Sequence, residues 1–348
     1  MGRSVIASCK YRFMKFNTRF FFLLAVIALA TSSCVGPDND AGQSSEKAVE
    51  SLTPVPVFSA DSAMKYVVQQ IAFGPRVPNT RANVECANWL ESTLKRYTPD
   101  VIVQPFKARA FDGTVLNGRN IIASFNPEAK TRILLCAHWD SRPWADHDPD
   151  PANQKKPIDG ANDGAAGVGV LLELARVMAP QPPTVGVDIV LFDAEDYGPT
   201  QANQNRDSED EWGLGSQYWS RNPHVQGYKA RFGILLDMVG VENATFLQEG
   251  WSLYYAPHIV KKVWKIARQA GYDNLFIEDE GGYITDDHYY VNRDANIPTI
   301  NIIHLQREGS SSGFYPYWHT VNDNLEKVSP ASLMAVGDVL LHVVYQER

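Results

Sequence analysis

The stretch Arg132-Ile133-Leu134-Leu135-Cys136-Ala137-His138-Trp139-Asp140 carries an apolar run straight into a histidine and an aspartate. The same order returns at Val187-Asp188-Ile189-Val190-Leu191-Phe192, which runs into Asp193-Ala194-Glu195-Asp196-Tyr197-Gly198. Between the two lies a polar loop ending in Gly160-Ala161-Asn162-Asp163-Gly164. After it, Val168, Leu171, Leu172, Ala175 and Met178 recur at helical spacing. The unit reads strand, acidic turn, helix, strand, acidic turn. In open α/β sheets a ligand sits outside the carboxyl ends of the strands. That is where these His, Asp and Glu side chains fall.

Outward from this unit the alternation continues. Upstream, Met64, Val67, Val68 and Ile71 share a helical face that Ser59 or Asp61 would cap, and Gly74-Pro75 ends it. A second helix after Asn79 turns Val84, Ala87, Leu90 and Leu94 to the core. Val101-Ile102-Val103 and Asn120-Ile121-Ile122-Ala123 predict a hairpin-like strand pair. Downstream, residues 199–212 are too polar for core and predict a loop. A third buried strand is predicted over 232–238, with Asp237 near its end. A helix over 258–270, a strand over 297–303 and a helix from Pro330 complete the chain. Pro298 lacks a backbone donor and belongs at the start of its strand. The expected fold is a single α/β domain, with a central mixed, largely parallel sheet flanked by helices.

Composition narrows the function. A chain of 348 residues, 44% apolar, is long enough to bury a sizeable core. A formal charge of −8, with no long basic run in the folded part, argues against a nucleic-acid partner. None of the four cysteines makes a Cys-x-x-Cys pair, which excludes a thiolate zinc knuckle. Cys86 and Cys136 fall inside a predicted helix and strand. Two buried free thiols is the simpler expectation, with a disulfide between them left open.

Residues 1–33 have the order of a secretory signal: Arg12, Lys15 and Arg19, an apolar run over 20–30, then Thr31-Ser32-Ser33. The apolar run is short for a membrane-spanning helix, and Met14 is an alternative start to Met1. Cys34 after small residues resembles the lipid-modified cysteine of bacterial lipoproteins, although Thr31 stands where Leu is usual. The expectation is an exported protein of the cell envelope or periplasm, held at the membrane only through a lipid on Cys34. A plain cleaved signal is the alternative. Residues 34–57 are rich in Ser, Gly, Pro, Asp and Glu and predict a flexible linker, with the folded domain over 58–348.

The polar residues at strand ends and in later loops are His138, Asp140, Asp163, Glu195, Asp196, Asp237, Asp286, Asp287, His288 and His319. Carboxylate and imidazole ligands without cysteine suit catalytic rather than structural zinc. Such a site needs about three ligands, an open position and a nearby carboxylate to move protons. Adjacent residues Glu195 and Asp196 point in different directions, so one can bind metal while the other faces substrate. Singly, each acid has a plainer explanation, and Asp163 alone would be a helix cap. Three apolar strands that each end in His, Asp or Glu make a metal site the better account. Among the aromatics around His319, Tyr315 and Tyr317 fit a packed loop. Trp318 fits a pocket wall with a donor N–H.

The motifs His138-Trp139-Asp140, Gly160-Ala161-Asn162-Asp163, Asp193-Ala194-Glu195-Asp196, Leu236-Asp237-Met238 and Trp318-His319-Thr320 resemble those of the co-catalytic zinc aminopeptidase superfamily. Within it, residues 58–344 are most similar to glutaminyl cyclases of the animal type, which also occur in bacteria. Ile284-Thr285-Asp286-Asp287-His288 favours that branch, since peptidases commonly have Ser-Asp-His there. So does Phe314 ahead of Trp318-His319-Thr320, with Asp323-Asn324 following. The resemblance implies a zinc-exopeptidase-like fold and a single zinc held by Asp163, Asp196 and His319. It makes Glu195 the general acid/base and pairs Asp237 with Asp286 through a hydrogen bond near the substrate amide. Trp318, Phe314 and Ile284 would line the pocket for a glutamine side chain. Two departures stand out. Asp196 occupies a position that is Glu in the animal enzymes. The insertion over 199–212 replaces a segment carrying another pocket Trp, for which Trp212 is the substitute on offer.

The reaction so implied is cyclisation of an N-terminal glutamine of peptides or exported proteins to pyroglutamate, with release of ammonia. One alternative is a zinc aminopeptidase, with two zinc ions and His138 among the ligands of the second. Another is a peptide- or glycan-binding lipoprotein on an inactive scaffold, which loss of Glu195 or a ligand would have signalled.

Overall fold

The computed structural model describes residues 52–200, 203, 209–306 and 313–348. The expected signal, Cys34 and the linker up to residue 51 lie outside these. Helix α1 (Ala60–Ile71) is capped by Ser59, whose hydroxyl accepts the N–H of Ser62 at 3.2 Å. Helix α2 (Arg81–Leu94) is capped in the same way by Thr80. Two residues expected in the core are not there: Val68 is 44% exposed and Val84 47%. Successive residues turn about 100° around a helix. The buried arc of α1 runs through Ala63, Val67 and Gln70, which leaves Val68 at its rim.

The main sheet contains β1 (Val101–Arg109), β2 (Val115–Phe125), β3 (Arg132–His138), β4 (Gly186–Phe192), β5 (Gly233–Asp237) and β8 (Thr299–Ile303), in the order β1-β2-β4-β3-β5-β8. The pairs β1/β2 and β2/β4 are antiparallel and the other three are parallel, so the sheet is mixed as expected. Strands β6 (Phe246–Gln248) and β7 (Phe276–Glu280) form a separate parallel pair.

Helices cover both faces. Ile133, Leu135 and Ala137 of β3 enter the larger core, which also takes residues of α1, α2, α3 (Gly167–Met178), α6 (Pro257–Gln269) and α8 (Pro330–Gln346). Leu134 and Cys136 face the other way, towards Trp219 of α4 (Leu214–Arg221) and Val291 of α7 (Asp287–Ala295). This period-two alternation is what a strand covered on both sides requires. Helix α5 (Gly250–Tyr255) follows β6. Close approach of α3 to β5 depends on Gly167, where a Cβ would sit 2.6 Å from the carbonyl oxygen of Leu236. Cys86 and Cys136 are both buried free thiols.

Candidate active site

Parallel strands β4, β3 and β5 lie side by side and end at one edge of the sheet. There β3 delivers His138, β4 runs into residues 193–196, and β5 delivers Asp237. Asp163 arrives from the turn Ala161–Ala166, which breaks from helical geometry at Asp163 (φ −83°, ψ 96°) and Gly164 (φ 99°, ψ −65°). Asp163 is therefore not the cap of α3. Its carboxylate is buried against two histidines. His138 Nε2 lies 3.1 Å from Asp163 Oδ1 and 3.3 Å from Asp237 Oδ1. His319 Nε2 lies 3.2 Å from Asp196 Oδ1 and 3.7 Å from Asp163 Oδ2.

Two buried carboxylates hold the backbone that carries these groups. Asp140 accepts the N–H of Glu195 at 3.1 Å and that of Asp196 at 3.2 Å, one on each oxygen. Asp323 does the same for Asn162 (2.9 Å) and Asp163 (3.1 Å). Ala194, Met238 and His319 all hold left-handed φ, at 57°, 49° and 54°. For non-glycine residues such conformations are costly and cluster at functional sites. At Ala194 the left-handed turn reorients the chain just before Glu195 and Asp196.

Among the described residues, three groups of side chains present ligand atoms within 4.8 Å of one another: Asp163, Asp196 and His319; His138, Asp163 and Asp237; and Asp146, His147 and His319. The first suits zinc by its donor set of two carboxylates and an imidazole. Asp196 Oδ2 is buried with no hydrogen-bond partner among the described residues. Burial, with Asp163 adding to it, pushes the Asp196 carboxyl well above its ordinary pKa. A cation held by Asp163 and Asp196 would reverse that repulsion. Burial also holds His319 well below its ordinary pKa, so the ring is neutral, as a ligand must be.

Glu195 and Asp196 part company as expected. Asp196 turns to Arg142, whose Nη1 is 3.3 Å from its Oδ1, and to His319. Glu195 lines a cavity of about 250 Å³ together with Asp163, Asp196, Asp237, Asp286 and His319. Ile284, Phe314, Trp318 and Trp212 form apolar walls of the same cavity. Burial pushes the Glu195 carboxyl well up; His138 opposes that and Asp286 reinforces it. Burial and the charge of Asp286 raise Asp237 to about 7. Asp286 itself accepts from the Asn301 amide at 2.6 Å and from the N–H of Asp287, so it also caps α7.

Of the site residues expected from sequence, Asp163, Glu195, Asp196, Asp237, Ile284, Asp286, Phe314, Trp318 and His319 line this cavity. His138 lies behind Asp163 and Asp237, Asp140, Asp287 and His288 are not in the lining, and Cys34 is outside the described residues. Trp318 stacks on His319 with ring centroids 3.7 Å apart and meets Phe314 at 4.4 Å. Trp212 lies parallel to His319 at 6.2 Å, with the Arg142 guanidinium 4.9 Å from its ring centre. Sequence reasoning gave Arg142 and Asp146 no role. Arg142 is buried, forked on Asp146 and donates to the carbonyl of Asp196. Its place in the polar loop after β3 was the one available signal.

Comparison with known proteins agrees with this geometry. The solved glutaminyl cyclase of Bacteroides thetaiotaomicron, bound to N-acetylhistamine, is 54% identical with a TM-score of 0.82, over 85% of this chain and 100% of that one. Bovine glutaminyl-peptide cyclotransferase is 25% identical over 76% of this chain and 76% of its own length. Aminopeptidase YwaD of Bacillus subtilis is 28% identical over 69% of this chain, and the match spans 46% of that longer protein. The model of peptidase family M28 matches residues 120–344, and the chain belongs to that family.

Proposed function

We propose that this protein is a zinc-dependent glutaminyl-peptide cyclotransferase, which closes an N-terminal glutamine to pyroglutamate and releases ammonia. The observation that carries this is the cavity: about 250 Å³, walled by Trp318, Phe314 and Ile284, with Glu195 beside the Asp163, Asp196 and His319 cluster. That is room for one residue with an amide side chain. The 54% identity to a solved glutaminyl cyclase supports the same reading.

Asp163, Asp196 and His319 are the proposed ligands of one zinc ion. When bound, zinc supplies a Lewis acid for the γ-carbonyl of the glutamine. Asp196 is a methylene shorter than the Glu of the animal enzymes. The left-handed turn at Ala194 and the grip of Asp140 on the following N–H groups offer a way to bring its backbone closer. In the reaction the substrate's α-nitrogen bonds to its own γ-carbonyl carbon, the amide C–N bond breaks and ammonia leaves. Because the nucleophile is part of the substrate, proximity supplies much of the rate. Glu195, its pKa raised by burial, takes a proton from the α-nitrogen and delivers it to the departing ammonia. Asp237 and Asp286 orient the amide. The Trp318 N–H stabilises the developing negative charge on oxygen.

A second reading is a zinc aminopeptidase with two metal ions, which the His138, Asp163 and Asp237 group favours. It would use water as nucleophile. Product analysis separates the two. A Gln-initiated peptide that loses ammonia while a Leu-initiated peptide stays intact supports the cyclase; release of free leucine supports the peptidase.

The proposed organisation is a signal over 1–33, lipidation at Cys34 and a catalytic domain over 58–348, which makes peptides of the cell envelope the natural substrates. Leu52 and Val55 already pack on the core. No helix among the described residues is long and apolar enough to cross a membrane.

A further inference from the structure

The rim of the cavity is aromatic. Tyr283 lines the cavity yet is 66% exposed, so its ring stands at the mouth. It packs so closely on Gly250 that a Cβ there would lie 2.7 Å from the ring. Its ring centre is 4.8 Å from that of Trp251. Trp251 in turn lies 6.0 Å from Tyr254, which is 68% exposed. One buried carboxylate ties this shelf to the pocket wall. Glu249 Oε1 accepts the backbone N–H of Trp251 at 2.9 Å and that of Ile284 at 3.0 Å. The shelf and the wall thus share one anchoring carboxylate.

We propose that Tyr283, Trp251 and Tyr254 form an extended subsite for the second to fourth residues of the substrate peptide, and that it favours aromatic or large apolar side chains there. The proposal rests on the pocket receiving an N-terminal glutamine. A cavity of about 250 Å³ holds that one residue, so the remaining chain leaves across the mouth. An extended peptide advances ~3.3 Å per residue. Ring spacings of 4.8 and 6.0 Å are within the reach of its neighbouring and alternate side chains. Tyr283 belongs both to the pocket lining and to this aromatic cluster, and exposed apolar patches joined to a groove mark recognition surface.

The test compares ammonia release from glutamine amide, Gln-Ala-Ala-Ala-amide and Gln-Phe-Phe-Ala-amide by the wild-type enzyme and by Trp251→Ala and Tyr254→Ser. The wild type should prefer the aromatic peptide over the alanine peptide by about three- to tenfold in kcat/KM, carried by KM. Trp251→Ala should abolish the preference and Tyr254→Ser reduce it. Tyr254 is exposed, so its substitution keeps the test open if the Trp251 variant misfolds. A wild type without the preference, or folded variants that keep it whole, would overturn the subsite while glutamine amide is still turned over. No ammonia from any of the three substrates would overturn the cyclase reading itself, and the shelf's role with it.

Discussion

Glu195 and Asp196 are neighbours in sequence with different proposed tasks, and what separates them is local. Asp140 holds both N–H groups, and the left-handed turn at Ala194 sets their departure from β4. Glu195→Gln keeps size and shape but cannot take a proton. It should retain zinc and lose about 10²–10⁴-fold in kcat. Zinc content with steady-state rates checks this, and a wild-type kcat would remove Glu195 from the mechanism. Asp140→Ala frees two backbone donors behind the site. It should weaken zinc binding by about 10–100-fold, as loss of outer-shell partners does at other metal sites, with kcat falling too; a chelator-competition titration reads the affinity. Asp163, Glu195, Asp196 and Asp237 were legible in the sequence because each sits at the end of an apolar strand or in a glycine-bounded turn, whereas Asp286 follows the polar strand β7 and has no such signal. Asp140 and Asp323 were quoted in motifs, yet their work on backbone N–H groups has no spacing signature. It appears only once residues 140 and 195, or 162 and 323, are brought together by the fold.

Helix α5 and the N-terminus of α7 are joined by Glu249 and His288, with Oε2 and Nε2 2.9 Å apart and both side chains buried. Burial tends to raise the Glu249 carboxyl, but His288 and the N–H donors around it win and bring it from 4.5 to about 2. Burial tends to lower His288, and Glu249 reverses that to a net rise. A depressed carboxyl pKa stabilises the fold above 4.5, and the benefit is lost as pH falls towards 2. A raised histidine pKa stabilises it below 6.5, and the benefit is lost as pH climbs through the folded value. The pair should therefore contribute most between about pH 4.5 and 6.5. Glu249→Ala should cost about 3–5 kcal/mol by leaving a buried partner unpaired. Urea unfolding across pH checks both: a variant as stable as wild type near pH 5.5 would contradict the pair's role. The helices α3, α6 and α8, with clear periodicity, and the strands β3 to β5, with continuous apolar runs, were legible in sequence. Helices α4, α5 and α7 were not. Helix α5 has six residues, α4 starts after Gly213 without a side-chain cap, and the cap of α7 is Asp286, which reads as a site acid.

The whole molecule brings three distant segments to one point. The proposed ligands Asp163, Asp196 and His319 follow β3, β4 and β8 respectively, so a zinc shared by them would tie together loops from across the sheet. A ligand that binds only the folded state adds about 4 kcal/mol at a thousandfold excess over its Kd. Stripping the metal should therefore lower the melting temperature by several degrees, and zinc should restore it. An unchanged melting temperature on chelation, with zinc removal verified, would contradict a tie of this kind. At this scale the sequence was informative because strands alternate with helices along the chain, which leaves few ways to build the sheet. The separate β6/β7 pair was missed, since β6 has three residues and β7 ends in the polar, exposed run Glu278-Asp279-Glu280, so neither shows a buried apolar stretch.

The most direct measurement is the intact mass of a Gln-initiated peptide after incubation with the purified protein, with zinc, with chelator, and with zinc restored. Zinc-dependent cyclisation predicts loss of one ammonia with the chain length unchanged, abolished by chelator and recovered with zinc. Loss of the first residue, or a peptide unaltered under all three conditions, would contradict it.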